Sequence, residues 1–274
     1  MGKLEGRSAI VSGSGRGIGR AIALKLAAEG ARVVINDLDA DPAAEVVAEI
    51  LARGGEAVSC VGNVTEDGFA EAFVNTAVES FGGLDIIINN AGYTWDAVIQ
   101  KMTDEQWDAI QDVHLKAPFR ILRAAQPILS QDAKAEIAKG RRVHRKVVNI
   151  SSISGLFGNV GQANYSSAKA GILGLTRALA KEWGRYNVNV NAVAFGMINT
   201  RLTEATAGDS SIQIEGRDLK VGMNPQIADR MNAMTPLGRA GAAEEAAGAV
   251  VMLTYPEADY ISGEMITAGG GFLG

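Results

Sequence analysis

The chain has 274 residues, of which 47% are hydrophobic and 21% charged, a composition typical of a globular protein with a sizeable core. Its formal net charge of −5 excludes a global basic field of the kind that attracts nucleic acid or an anionic membrane surface. The single cysteine, Cys60, excludes an internal disulfide framework and is typical of a reducing compartment.

The sequence predicts neither a signal peptide nor a membrane span. The first residues, MGKLEGRSAIVSG, lack the apolar run of a signal peptide. No stretch approaches the roughly 20 apolar residues that a bilayer-spanning helix needs. From these patterns we expect a cytoplasmic protein that binds neither nucleic acid nor a membrane.

Short runs rich in β-branched residues recur along the chain and predict strands. They are SAIVS (8–12), RVVIN (32–36), AVSCV (57–61), DIIIN (85–89), KVVNIS (146–151), VNVNAVA (188–194) and GEMIT (263–267). Each is apolar without alternation, as in strands that are covered on both faces. Helical patterns lie between them, for example at 19–30, 66–82 and 103–129. The alternation predicts an α/β fold with a parallel sheet and helices on both faces, and we expect one domain spanning 1–274.

The turn after the first predicted strand carries glycines at a spacing that suits a phosphate. Gly13, Gly17 and Gly19 permit a tight turn, close approach of the backbone to a pyrophosphate, and close packing of a helix on a strand. The N–H groups that begin the helix would then face the anion. Glycine-rich turns alone are weak signals, and a plain strand–helix turn is the alternative. The position within a β/α array favours a dinucleotide site.

Two charged residues bear on which dinucleotide binds. Asp37 ends the second predicted strand, where a carboxylate accepts hydrogen bonds from the adenosine ribose and repels a 2′-phosphate. Arg16 lies in the glycine turn within reach of a 2′-phosphate and therefore favours NADP. The side chain of an arginine in a loop can rotate away into solvent, whereas the Asp37 carboxylate stays next to the ribose. We therefore predict NAD(H), with NADP as the alternative. A capping aspartate and a solvated arginine are the other roles open to the two residues.

Two segments interrupt the β/α pattern. Residues 132–146 hold six basic and two acidic residues, which indicates either a solvated helix end or a docking patch for an anionic partner. Residues 197–235 follow the sixth strand and are polar, then methionine-rich. Long irregular segments of this kind are typical of lids and binding loops, and the methionines would form an adaptable apolar wall. We expect 197–235 to be a substrate loop.

The stretch NVGQANYSSAKAG (159–171) sets Tyr165 and Lys169 on one face of a helix that is otherwise built from small residues. A tyrosine has a pKa near 10, and about 4 kcal/mol of stabilisation by a neighbouring cation would bring that pKa to about 7. Ser152, after the fifth strand, would hydrogen-bond the oxygen of a substrate and hold it against the phenol. Such a group serves hydride transfer between an alcohol and a nicotinamide. A chance pair and a loop-capping serine are the alternatives.

With SGSGRGIG near the start, NNAG at 89–92 and a serine thirteen residues before Tyr165-x-x-x-Lys169, nearly the whole chain resembles the single-domain short-chain dehydrogenases/reductases. The resemblance implies a Rossmann-like, doubly wound sheet of seven parallel strands and a homotetramer or homodimer. It implies Ser152, Tyr165, Lys169 and His114 as catalytic residues, and no metal. The residues that it assigns to the cofactor are Gly13, Arg16, Gly17, Ile18, Gly19, Asp37, Asn63, Val64, Asn90, Ala91, Gly92, Tyr165, Lys169, Gly196, Ile198 and Thr200.

Several of these assignments carry a specific role. Asn63 stands where the family often has an aspartate that binds the adenine amino group, and its amide oxygen can still accept that bond. Asn90 would contact the ribose region or brace its strand. Ile198 and Thr200 match positions that hold the nicotinamide carboxamide and a nearby phosphate.

The sequence departs from the family pattern at two places. His114, in DVHL, replaces an asparagine that holds a water linking the lysine to solvent. An imidazole can also hold a water and would add pH dependence near 6.5, although a satisfied core histidine is the alternative. The family's Pro-Gly after the sixth strand reads Phe195-Gly196, which removes a fixed φ and adds an aromatic ring near the nicotinamide.

The substrate class also comes from resemblance. DVHL with GNVGQANYSSAKAG is similar to the dehydrogenase unit of the type 2 multifunctional enzymes, which act on 3-hydroxyacyl-CoA and some hydroxysteroids. GQANYSSAKAG is also similar to 3-oxoacyl-carrier-protein reductases. We therefore expect an NAD(H)-dependent oxidoreductase acting on a 3-hydroxyacyl or 3-oxoacyl thioester, carried on coenzyme A or acyl carrier protein. The alternatives are an NADPH-dependent 3-oxoacyl reductase, a hydroxysteroid or polyol dehydrogenase, and a non-catalytic nucleotide-binding scaffold or redox sensor.

Overall fold

A computed structural model describes residues 2–200, 210–214, 217–221 and 225–272. The strands are β1 (Ser8–Val11), β2 (Arg32–Ile35), β3 (Glu56–Ser59), β4 (Ile86–Asn89), β5 (Arg145–Ser152), β6 (Val188–Phe195), β7 (Ser210–Ile214), β8 (Arg217–Val221) and β9 (Met265–Ala268). The helices are α1 (Gly17–Ala28), α2 (Ala40–Ala52), α3 (Phe69–Phe81), α4 (Asp104–Gln111), α5 (Ala117–Ala138), α6 (Ser154–Phe157), α7 (Ala163–Trp183), α8 (Pro225–Met234) and α9 (Ala243–Val251).

The predicted parallel sheet is confirmed. Seven strands pair in the order β3-β2-β1-β4-β5-β6-β9, and every pairing is parallel. β1, β4 and β6 are buried at every position, which explains why their sequences are apolar without alternation. One core lies between the sheet and α1, α2 and α9, and the second lies on the opposite face under α3, α5 and α7.

The sheet has one point where the strand order reverses. β1 pairs with β2 on one side and with β4 on the other. Open α/β sheets bind ligands in the crevice at the carboxyl ends of strands beside such a reversal. The glycine turn after β1 and the NNAG segment after β4 meet there.

The predicted helix over 103–129 is interrupted. α4 begins with a capping box in which Thr103 and Gln106 bond each other's backbone, and it ends at Gln111. The next five residues, Asp112–Lys116, form a π-helix before α5 continues the chain. A π-helical turn inserts an extra residue into a helix and occurs frequently at functional sites. This turn carries His114.

The segment at 197–235 contains secondary structure that the composition did not predict. β7 and β8 form an antiparallel hairpin, and α8 follows them. Both strand sequences alternate polar and apolar residues, a hairpin signal that a reading by composition overlooks. Residues 201–209, 215–216 and 222–224 of the expected substrate loop, including one of its methionines, Met223, lie outside the described residues.

The basic residues of 132–146 that begin β5 are internally paired. Arg145 donates to Glu136 at 2.9 and 3.2 Å, and its side chain is only 5% exposed. Lys146 is also buried, with its Nζ 2.6 Å from an Asp259 carboxylate oxygen. Both lie at the amino end of β5, whereas Ser152 lies at its carboxyl end. This pairing favours a structural role for these two cations over a docking role.

Among the described residues, no helix combines the length and the apolar character that crossing a bilayer requires.

Candidate active site

The glycine turn has the geometry that phosphate binding needs. Gly13 and Gly17 adopt positive φ angles of 62° and 55°, which favour glycine. A β-carbon at Gly13 would stand 2.8 Å from the Ala91 Cα, and one at Gly19 would strike the Gly13 carbonyl. α1 begins at Gly17, and within the described chain no side chain caps this end. Its first N–H groups are therefore suited to an anionic group, and the turn fits a dinucleotide.

Two asparagines hold this turn in place. The Asn36 amide oxygen accepts the Gly13 N–H at 3.0 Å, while its Nδ2 donates to two carbonyls of the segment after β3, also at 3.0 Å. Asn90 Nδ2 donates to the carbonyls of Ser12 and Gly13, both at 3.0 Å. Asn90 therefore braces the glycine turn, and the alternative contact between Asn90 and the ribose region stays a prediction. Sequence reasoning missed Asn36, whose signal was a polar residue closing the apolar run RVVIN.

The region around Asp37, where the sequence predicts that adenosine binds, is acidic. Asp37 follows β2 and is 8% exposed. Arg16 Nη1 lies 3.2 Å from Asp37 Oδ1 and 2.9 Å from Asp39 Oδ2. A cleft of about 760 Å³ opens here, lined by Gly15, Arg16, Leu38, Asp39, Ala40, Asp41, Pro42, Glu45 and Val61. The single arginine of this cleft is thus engaged by two carboxylates.

The segment after β3 uses Asn63 to shape its own turn. The Asn63 amide oxygen accepts both the backbone N–H and the hydroxyl of Thr65 at 2.9 Å. Val64 is 6% exposed and packs in the second core. The acceptor that the resemblance assigns to adenine is therefore already engaged, and an adenine amino group would share it.

The reactive triad comes together at the start of α7. Lys169 Nζ lies 5.6 Å from the centroid of the Tyr165 ring and donates to the Ile150 carbonyl at 2.7 Å. The side chain of Ser152 hydrogen-bonds that of Tyr165 and also accepts the Ser154 N–H at 3.2 Å. The structure thus brings Ser152, Tyr165 and Lys169 to one place, at the carboxyl end of β5.

Burial sets the proton affinities of this pair. It raises the pKa of Tyr165 to about 12, with the Ser152 hydrogen bond lowering it and the Asp96 charge raising it. Burial lowers the pKa of Lys169 to about 7. The sequence predicted a lowered phenol pKa, and this structure has the opposite direction. The reason is that both groups have left water while the Lys169 ammonium is directed at a neutral carbonyl.

His114 packs against the proposed catalytic tyrosine. Its ring meets that of Tyr165 edge-on, with centroids 5.0 Å apart, and its Nε2 lies 2.7 Å from the Tyr93 carbonyl. That contact assigns the proton to Nε2, and Nδ1 has no hydrogen-bond partner among the described groups. Burial, and then the charge of Lys169, lower the pKa of His114 well below 6.5. The titration near 6.5 that the sequence suggested is therefore not supported, because the buried ring stays neutral.

The close packing around His114 explains a glycine. A β-carbon at Gly92, in the NNAG segment, would collide with the His114 ring. A β-carbon at Gly155 would likewise stand 2.6 Å from the backbone of Lys169. Sequence reasoning did not single out Gly155.

The segment after β6 returns toward the glycine turn. A β-carbon at Gly196 would stand 2.7 Å from the backbone that follows β9. An added β-carbon at Gly17 would lie 3.9 Å from Thr200, so these two predicted cofactor residues are neighbours. Ile198 forms an isolated β-bridge with Gly241. Phe195 is 6% exposed and belongs to the first core with Ile18 packed against it, so its ring is structural.

A polar network joins the segments after β4 and β5 near Tyr165, and exposed apolar side chains lie on the same segments. Sequence reasoning missed both. Gln162 Nε2 donates to Asp96 Oδ2 at 2.9 Å, and its amide oxygen accepts the Ser154 hydroxyl at 3.1 Å. Burial raises the pKa of Asp96. The exposed apolar side chains of the same segments are Val98, Ile99, Phe157 and Val160. Among the described residues, no group of His, Cys, Asp or Glu could hold a metal ion.

The chain is similar to known proteins along nearly its whole length. A family model described as enoyl-(acyl carrier protein) reductase matches residues 13–273. The chain is 36% identical to a 3-oxoacyl-(acyl-carrier-protein) reductase of Synechocystis, over 100% of this chain and 99% of that protein. It is 35% identical to the protein of the same name in Staphylococcus aureus and 36% identical to that of Escherichia coli, in both cases over 97% of each chain.

Proposed function

Because this chain belongs to the short-chain dehydrogenase/reductase family and is an oxidoreductase with a nicotinamide cofactor, we propose that it interconverts 3-oxoacyl and 3-hydroxyacyl thioesters. The observation that carries the proposal is the meeting of Ser152, Tyr165 and Lys169 at the carboxyl end of β5, on the same side of the parallel sheet as the glycine turn. The names of the relatives support the thioester, since they are reductases of 3-oxoacyl groups on a carrier protein.

Proton transfer in this proposal belongs to Tyr165. A reduced nicotinamide, when bound, would supply the hydride that the carbonyl carbon of the substrate accepts, and would become oxidised. Ser152 and Tyr165 bind the carbonyl oxygen, and the phenol gives its proton to that oxygen, so that the ketone becomes an alcohol. Lys169, with a pKa of about 7, is suited to returning a proton to the phenolate at neutral pH. The unpartnered Nδ1 of His114 offers an acceptor for a water that connects Lys169 with solvent.

The raised pKa of Tyr165 keeps the phenol in the protonated form that ketone reduction uses. At about 12, that pKa keeps the phenol protonated throughout the physiological range, as a proton donor must be. Oxidation of the alcohol needs the phenolate, whose population grows with pH. We therefore expect ketone reduction to proceed at neutral pH and alcohol oxidation to accelerate as the pH rises.

We propose NAD(H) as the preferred cofactor. Asp37 and Asp39 engage Arg16, and Asp41 and Glu45 add further negative charge to the same cleft, which disfavours a 2′-phosphate. NADPH is the second candidate, because the Arg16 side chain is 41% exposed and can turn toward a phosphate. Turnover with NADH and NADPH at matched concentrations separates the two, and a large NADPH preference would refute the NAD(H) assignment.

Exposed apolar side chains near the triad support an acyl chain over a sugar alcohol. Ile99, Phe157 and Val160 are 70%, 53% and 89% exposed, and the Ala97–Gln162 bridge joins the segments that carry them. The test follows the absorbance of reduced nicotinamide with 3-oxoacyl thioesters of coenzyme A and of acyl carrier protein, 2-enoyl thioesters, hydroxysteroids and polyols. We expect turnover of the 3-oxoacyl thioesters. Turnover of only a steroid, a polyol or an enoyl thioester would contradict the proposed substrate.

We further propose that residues 1–274 act as one catalytic domain, that 197–235 contacts the substrate, and that the protein is a cytoplasmic homotetramer or homodimer. The sheet supports one domain, since its strands come from Ser8–Val11 through Met265–Ala268. Light scattering after size-exclusion chromatography measures the assembly, and a monomer would contradict this part of the proposal.

A further inference from the structure

Asn164 directly precedes the proposed proton donor and is completely buried, with 0% of its surface exposed. A buried amide requires partners for its donors and its acceptor. Its partners lie on three different segments of the active site, which distinguishes it from an ordinary core residue.

The acceptor side of Asn164 holds the start of α7. Its Oδ1 accepts the backbone N–H of Tyr165 at 2.8 Å. The first N–H groups of a helix have no partner within the helix, so this bond satisfies one of them at the residue that carries the phenol. The side chain of Asn164 thereby fixes the backbone from which Tyr165 projects.

The donor side of Asn164 reaches two other elements. Its Nδ2 donates to the Trp95 carbonyl at 3.1 Å, in the segment after β4, and to the Gln106 carbonyl at 3.0 Å, in α4. Gln111, at the end of α4, returns a bond from its Nε2 to the Asn164 carbonyl at 2.8 Å. Both N–H groups of the Asn164 amide are therefore used to join α7 to these elements.

The elements that Asn164 joins are those that surround the phenol. The segment after β4 carries Tyr93, whose carbonyl accepts a hydrogen bond from His114 Nε2. The π-helix that follows α4 carries His114 itself, in edge-on contact with Tyr165. A change in the position of α7 relative to either element would therefore move the phenol relative to its neighbours.

We infer that Asn164 is a positioning residue, which sets the depth of the Tyr165 hydroxyl against Ser152 and against the reacting oxygen. This inference rests on the proposed function, because it assumes that Tyr165 transfers the proton. A displacement of about 1 Å at a reacting group costs about 100-fold in rate. The glycine turn lies on β1 and α1, outside the contacts of Asn164, so cofactor affinity should change little.

Two variants separate the arms of this amide. Asn164→Ala removes both the acceptor and the donors. Asn164→Asp keeps an acceptor for the Tyr165 N–H but cannot donate to the two carbonyls when ionised. The matched control is Asn191→Ala. Asn191 is also an asparagine, is 1% exposed, donates to the Ile261 carbonyl at 2.8 Å and accepts the Glu264 N–H at 3.0 Å, away from the site.

The readout is kcat per bound cofactor, on the best ketone substrate of the panel, with the bound fraction measured by the fluorescence of reduced nicotinamide. Both Asn164 variants should lose about 100-fold in this quantity, with the cofactor Kd within about threefold of the unaltered protein. Asn191→Ala should keep the kcat per bound cofactor of the unaltered protein even where its stability falls, because the Asn191 amide has only a structural role.

A kcat per bound cofactor within about threefold of the unaltered protein in Asn164→Asp overturns the inference. If Asn164→Ala does not fold, the aspartate variant decides alone, and if neither variant binds cofactor, Asn164 is a folding residue and the inference is wrong. Tyr165→Phe separates the two proposals. An active Tyr165→Phe protein refutes the proposed function, whereas an inactive one beside active Asn164 variants refutes only the positioning role.

Discussion

At the residue scale, burial rather than sequence proximity determines the chemistry of Tyr165 and Lys169. Spacing on the helix predicted their adjacency, and the structure places the ammonium 5.6 Å from the ring centroid. The same helix packing takes both groups out of water, so the pKa of the phenol rises to about 12 and that of the ammonium falls to about 7. A helical spacing indicates which side chains are neighbours and says little about the solvent around them.

The lowered pKa of Lys169 predicts a pH dependence of stability. Between a folded value of about 7 and the ordinary value of 10.5, the unfolded chain binds more protons at this residue than the folded chain does. The free energy of unfolding should therefore rise with pH across that window. Urea unfolding at several pH values between neutrality and about 9, on the unaltered protein and on Lys169→Met, measures the effect.

Lys169→Met is the control for the other groups that titrate in this range. The rise in stability with pH should be steeper in the unaltered protein than in Lys169→Met. Parallel curves for the two proteins would show that Lys169 has an ordinary pKa in the folded state.

At the element scale, the glycine turn and the π-helix were predictable to different degrees. Gly13, Gly17 and Gly19 could be predicted from the sequence, because only a residue without a side chain suits the positive φ angles or the close packing at these positions. The sequence predicts an ordinary helix where Asp112–Lys116 form a π-helix, because the apolar residues repeat at helical spacing. Asn36 and Asn164 were missed for another reason: their partners are distant in sequence or lie on other elements.

Gly19→Ala tests the packing of the glycine turn. A methyl group there would strike the Gly13 carbonyl and Asn90, so α1 would have to move away from the turn. We expect cofactor affinity to fall at least about tenfold, because the N–H groups of the helix would no longer face the phosphate. Isothermal titration with NADH measures it.

Gly174→Ala is the matched control, because it also lies within a helix and an added methyl group meets no atom within 4 Å. It should leave affinity unchanged and stabilise the protein by up to about 1 kcal/mol. Equal NADH affinity in the two variants would contradict the packing argument.

At the scale of the whole molecule, the proposed chemistry lies at the carboxyl ends of the strands, and the buried ion pairs of Arg145 and Lys146 lie at the amino end of β5. The apolar runs predicted the sheet, which is confirmed. That the glycine and NNAG segments mark the reactive side, at the carboxyl ends of the strands, stays a prediction. The partners of the basic segment 132–146 could not be predicted, since Arg145 meets Asp85 and Glu136 from different elements. These ion pairs lie at the amino ends of the strands, remote from the proposed chemistry.

Arg145→Met should therefore lower stability without changing catalysis. Removing a buried cation leaves partly buried carboxylates unpaired, and such losses cost about 3–5 kcal/mol. Thermal or urea unfolding measures the loss, and kcat per bound cofactor should remain unchanged. Arg53→Met, which breaks an exposed pair with Glu49, is the control and should cost less than about 1 kcal/mol. A fall in kcat in a folded Arg145→Met protein would contradict the claim that the amino ends of the strands are independent of catalysis.

The central claim is that the Tyr165 phenol exchanges the proton while the nicotinamide carries the hydride, and Tyr165→Phe tests it most directly. The variant removes one oxygen from a packed ring and leaves the contact with His114 in place. Steady-state turnover of a 3-oxoacyl thioester should fall at least about 100-fold, with NADH binding retained, since general acid catalysis contributes on the order of 100- to 10,000-fold. Undiminished turnover by a cofactor-binding Tyr165→Phe protein would contradict the account.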